Sequence, residues 1–99
     1  MKISQVLARA AKLVEKGFCR NDYALDRAGY PIKATSRHAV RFCAVGAIAN
    51  QGTVLPGLFD FLCAFVGDAD LTGWSDDRTG PEVACWLSSA AEYAKVLGR

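Results

Sequence analysis

Ile3-Ser4-Gln5-Val6-Leu7-Ala8-Arg9-Ala10-Ala11-Lys12-Leu13-Val14-Glu15-Lys16-Gly17 is the stretch that sets the fold class. Ile3, Val6, Leu7, Ala10, Leu13 and Val14 recur at helical spacing, while Gln5, Arg9, Lys12, Glu15 and Lys16 fill the other side. A stripe of this kind predicts a helix over 4–16 that buries one face. Ser4 reads as its N-cap, and Gly17 as the left-handed residue that ends it.

A second well-marked helix lies at the other end of the chain. Thr79-Gly80-Pro81-Glu82 is a capping box with proline in the first turn, so a helix over 80–97 is expected. Val83, Trp86, Leu87, Ala90, Ala94 and Leu97 are its expected core side. Between the two, residues 36–50 predict a second helix, apolar almost all round after Arg41 and therefore central. Gly46, among alanines, suits a close backbone approach. Residues 56–66 predict a third helix, with Pro56 near its start and Leu58, Phe59, Leu62, Cys63 and Val66 buried. Residues 67–79 read as a polar loop. Residues 18–34 lack a helical stripe. Asp26-Arg27-Ala28-Gly29 is turn chemistry, so a short hairpin pairing 22–26 with 30–33 is expected. The predicted fold is mainly α: one domain over 1–99, a small irregular four-helix bundle with a β-hairpin at about 18–34 on one flank.

Composition narrows the setting. The chain has 99 residues, 52% of them apolar, enough for one core. Met1-Lys2-Ile3-Ser4-Gln5 lacks the apolar run of a secretory leader. The longest apolar run, within 58–66, is broken by Asp60 and falls far short of the roughly 20 residues of a membrane span. A cytoplasmic chain without membrane attachment is expected. Cys19, Cys43, Cys63 and Cys85 each sit among apolar neighbours, so reduced, buried thiols are favoured over two disulfides or a metal site. No Cys-x-x-Cys pair exists. Net charge is +2 but split. Residues 1–41 hold nine Lys/Arg against three acids, and residues 42–99 hold three against seven. Two halves that dock on each other are the favoured explanation over a basic face for an acidic partner.

Three constellations carry possible chemistry. Asp68, Asp70, Thr72, Gly73 and Asp76 partly match a calcium loop, but Thr79 stands where the bidentate Glu belongs. Asp68, Asp70 and Asp76 are thus the metal-ligand candidates, and the favoured reading is a turn whose carboxylates accept backbone amides. Trp74 is expected to cover the core edge beside the last helix, or else to act as an exposed hot spot, and Asp76 or Asp77 to accept amide hydrogens near that helix's positive end. Arg37 and Arg41, one helical turn apart in the expected second helix, would present a paired basic face. The surrounding segment is too apolar for a recognition helix, so nucleic acid is not expected as a partner. His38 and Cys43 are five apart and would sit on different helix faces, a poor nucleophile pair. Cys19 could meet His38 only through tertiary folding.

The order of motifs resembles a known family. The relevant residues are Tyr23-Ala24-Leu25-Asp26 with Gly29, Cys43-Ala44-Val45-Gly46-Ala47-Ile48, and Trp74-Ser75-Asp76 before a final helix. The chain resembles small bacterial and phage domains of unknown function that carry Cys-x-x-Gly-Ala on a central helix and Trp-Asn-Asp ahead of the last. Ser75 stands where that family usually has Asn. The resemblance implies a bacterial or phage setting and no activity. The expected function is a non-enzymatic protein-interaction module, such as a phage or mobile-element inhibitor of a host defence complex. Its contact candidates are Asp68, Asp70, Trp74, Asp76, Asp77, Arg37 and Arg41. A protein partner and no cofactor are expected, and oligomeric state is left open. The alternatives are a small-molecule or calcium-binding domain on the 68–77 loop and a cysteine-dependent enzyme.

Overall fold

The computed structural model describes residues 1–52 and 54–99. Among them the element order is α1 (Ile3–Lys16), β1 (Ala24–Leu25), β2 (Arg41–Phe42), α2 (Ala44–Ala49), α3 (Leu58–Val66), α4 (Leu71–Asp76) and α5 (Gly80–Val96). The chain is mainly α, with one small antiparallel strand pair.

α1 and α5 form the framework, and α1 also leans on α2. α1 buries Ile3, Val6, Leu7, Ala10, Ala11 and Val14. α5 answers with Val83, Ala84, Leu87, Ala90, Ala91 and Ala94. The alanines let the larger side chains of α1 settle close to the α5 backbone. Each buried Leu or Val is worth on the order of 1.5–3 kcal/mol. α5 starts as its capping box dictates. Thr79 Oγ1 accepts the Glu82 N–H at 3.3 Å, and Glu82 Oε1 accepts the Thr79 N–H at 3.1 Å.

Several local expectations give way to tertiary structure. α1 begins at Ile3, one residue before the expected start, which brings Ile3 into the buried stripe. Ser4 is buried in the first turn, and Gln5 Oε1 accepts the Lys2 N–H at 2.8 Å instead. Gly17 is extended, not left-handed. Its missing side chain matters because a Cβ there would meet the Val40 carbonyl.

The second helix is much shorter than its apolar composition suggests. Arg41 and Phe42 are strand, and α2 starts only at Ala44. In 40–42 Val40 and Arg41 are exposed and Phe42 is buried, and the backbone of Phe42 is taken by neighbours on both sides. Its N–H donates to the Gly17 carbonyl at 3.0 Å, and its carbonyl accepts the Cys19 N–H at 3.2 Å. The expected hairpin is present in part. Leu25 bridges Pro31 around the 26–29 turn, but the paired strand is β2, with Ala24 opposite Phe42.

α3 buries Leu58, Phe61 and Leu62, while Phe59 is exposed. The polar loop contains α4. Asp70 Oδ1 caps it, accepting the Gly73 N–H at 3.1 Å and the Thr72 hydroxyl at 2.7 Å. Leu71 and Trp74, three apart, bury its inner face.

Candidate functional site

Two arrangements combine polar or aromatic groups in one place. The first is a junction of the 19–23 segment, the start of α2 and α4. Cys43 is the N-cap of α2, and its sulfur accepts the Gly46 N–H at 3.3 Å. The next amide, Ala44 N–H, donates to the buried Ser75 hydroxyl at 3.1 Å. Cys43 N–H donates to the Tyr23 carbonyl at 3.3 Å. That carbonyl lies so close to Gly46 that a Cβ there would run into it. Asp76 Oδ1 accepts the N–H of Asn21 at 3.0 Å, a residue held at a positive φ of 68°.

Arg20 donates to the Asp76 carbonyl at 3.1 Å and the Arg78 carbonyl at 2.6 Å. Arg78 donates to the Trp74 carbonyl at 2.8 Å and lies over the Trp74 ring at 4.8 Å. Two arginines thus take up the carbonyls at the negative end of α4.

The order Cys43-x-x-Gly46-Ala47 followed by Trp74-Ser75-Asp76 has a structural meaning here, because its side chains meet at this junction. The chain belongs to the family of unknown function DUF6197. The family profile matches residues 1–93. Neither a curated protein nor a solved structure matches the chain.

Beside the junction is a cleft of about 330 Å³ lined by Asn21, Asp22, Tyr23, Cys43, Thr72 and Asp76. Its chemistry is muted. Burial above all, then the neighbouring Cys43 and Asp22, pushes the Cys19 thiol up to about 11. Burial also raises Cys43. Thiols in this state are protonated at neutral pH and are weak nucleophiles. His38 is exposed on a separate hollow with Asp26, Arg27, Ala28, Arg37 and Val40, and does not line the cleft that holds Cys43.

The other candidates are dispersed. Asp68 Oδ1 accepts the Asp70 N–H at 2.8 Å, Asp70 caps α4, and Asp76 faces Asn21. The Thr72 hydroxyl and the Gly73 amide hold the Asp70 carboxyl below its usual range. Among the described residues no three His, Cys, Asp or Glu groups gather closely enough to hold a metal ion. Asp77 is exposed beyond α4. Arg37 lies in a turn and Arg41 on β2, both exposed, so they are not one helical turn apart. Trp74 is only 2% exposed and offers no surface to a partner, because α4 turns it into the core.

The second arrangement is aromatic and was not anticipated from the sequence. Between α3 and α5 runs a groove of about 720 Å³ lined by Asp60, Phe61, Ala64, Phe65, Tyr93, Leu97 and Arg99. Its rings touch in series. Phe61 lies 6.0 Å from Tyr93, Phe65 lies 5.7 Å from Tyr93, and Trp86 meets Phe65 edge-on at 5.9 Å. Arg99 sits over Phe61 at 5.0 Å. Tyr93 and Leu97 are each 50% exposed and Trp86 is 37% exposed. Trp86 and Leu97, expected on the core side of the last helix, are exposed instead. The spacing 86, 93, 97 marks a second stripe on α5, turned away from the alanine face that meets α1.

Proposed function

We propose that the chain is a non-enzymatic protein-interaction module that docks a partner in the α3–α5 aromatic groove. The observation that carries this reading is the run of contacting rings Phe61, Phe65, Tyr93 and Trp86, with Tyr93 and Trp86 exposed beside exposed Leu97. Aromatic and arginine side chains dominate the energetics of protein interfaces, and contiguous exposed apolar patches mark them. Asp60 and Arg99 line the same groove, so the fitting partner surface is apolar at its centre. It carries a base to face Asp60 and an acid to face Arg99.

Less supports the other two readings. The carboxylates of 68–76 are spent on backbone amides at separate points, and the raised thiols suit packing better than attack. A finer proposal is a phage or mobile-element accessory, such as an inhibitor of a host defence complex, acting in the bacterial cytoplasm. The small size, the split charge and the free thiols suit it. No helix among the described residues is long and apolar enough to cross a membrane.

The test is affinity capture from a bacterial host, then titration of each captured protein, purified, against the full chain. Ala64→Arg fills the groove from an exposed helix position without removing a ring. It is expected to weaken Kd at least ~10-fold, equivalent to about 1.4 kcal/mol. Arg37→Ala with Arg41→Ala is expected to leave Kd within twofold. Unchanged affinity in Ala64→Arg, with an unchanged melting temperature, contradicts the groove as the docking site.

A further inference from the structure

We propose that Cys19 and Cys43 are a disulfide-forming pair, oxidised by hydrogen peroxide, that joins the 19–23 segment to the start of α2. The geometry comes from the backbone. Phe18 and Phe42 form a parallel bridge, with Phe42 N–H donating to Gly17 and Phe42 carbonyl accepting from Cys19. The bridge is a single pair, and the next residue on each segment is Cys19 and Cys43. Adjacent strands lie about 4.8 Å apart, inside the roughly 4.4–6.8 Å Cα separation that a disulfide spans. The Cys43 N–H faces the Cys19 sulfur.

Both side chains are buried, Cys63 lies on α3 and Cys85 on α5, so each of this pair has one neighbouring thiol and no competitor. Cys43 lines the 330 Å³ cleft, whose volume exceeds that of a peroxide molecule.

The step balances. The Cys43 thiolate attacks one peroxide oxygen, the O–O bond breaks, and hydroxide leaves as Cys43 becomes a sulfenic acid. The Cys19 thiolate then attacks the Cys43 sulfur, the S–O bond breaks, and the S–S bond forms. The two thiol protons end on the two departing hydroxides, giving two waters. Two thiols are oxidised by two electrons and the peroxide is reduced. Asp22 and Asp76 face the pair and oppose thiolate formation, so the reaction is slow at neutral pH.

The experiment uses the full chain carrying Cys63→Ser and Cys85→Ser, treated with hydrogen peroxide at pH 7 and pH 9. The expected product is a monomer lighter by the mass of two hydrogens, with Cys19 and Cys43 joined in the peptide map. It should form roughly tenfold faster per pH unit. Its melting temperature should rise by about 5 °C or more and return on reduction. Cys19→Ser alone should abolish the product. A dimer, sulfinic acid on either cysteine without a cross-link, or no mass loss at pH 9 overturns the proposal. None of these outcomes bears on the groove, which contains neither cysteine.

Discussion

Gly46 and Ser75 decide how α2 meets its neighbours. Gly46 has no room for one more carbon, because the Tyr23 carbonyl occupies the space. Gly46→Ala must displace backbone, not a flexible side chain, and is expected to cost about 3 kcal/mol in urea unfolding. Ser75→Ala removes the acceptor of the buried Ala44 amide. A loss of about 1–3 kcal/mol is expected, since that amide is then left without a partner. A loss under ~0.5 kcal/mol in both variants contradicts the junction as described. The sequence made the close approach at Gly46 legible, because a lone glycine among alanines has few other uses. It could not show that Tyr23 supplies the approaching atom, or that the Ser75 hydroxyl would find an amide 31 residues away. Trp74 illustrates the same limit. Its residue type favoured burial, but only the turn of α4 decides that it is covered.

Among the elements, those whose ends carry local capping chemistry were the most legible. α5 begins where Thr79, Pro81 and Glu82 say it should, because every interaction of a capping box lies within four residues. α4 was hidden. Asp, Thr and Gly are turn-forming residues, and a six-residue helix has no room for a second apolar repeat. α2 was overread, because an apolar run fits a buried helix and a buried strand equally well.

Glu82 and Asp70 also give these caps a pH signature. Thr79 holds Glu82 below its ordinary value through its amide and its hydroxyl, as Thr72 and Gly73 do for Asp70. A carboxyl depressed in the folded state stabilises above its unfolded pKa, and that contribution is lost as pH falls through the folded value. Melting temperature is therefore expected to fall between about pH 5 and pH 3. The fall should be shallower in Glu82→Gln with Asp70→Ala. An equal slope in the double variant counts against both caps. Thr79→Ala is expected to cost about 1 kcal/mol at neutral pH.

On the scale of the whole molecule, segments 43–47 and 74–76 and the exposed aromatic groove do different work. Cys43, Gly46 and Ser75 are buried, and with half-buried Asp76 they tie three segments together. Phe65, Trp86, Tyr93 and Leu97 lie along the outer side of α3 and α5. The stripes of α1 and α5 were readable at opposite ends of the chain, but that they pack on each other was not. Nor was the groove, because a sequence cannot say which of two stripes on α5 finds a neighbour long enough to cover it. Burial of the motif junction is the claim on which the division rests. Hydrogen exchange of the Ala44 and Gly46 amides, followed by NMR on the native chain, tests it directly. Both amides are expected to exchange only on global unfolding, alongside those of Leu87 and Ala90 in α5. Exchange as fast as that of the amides of exposed Arg27 and Ala28 contradicts it.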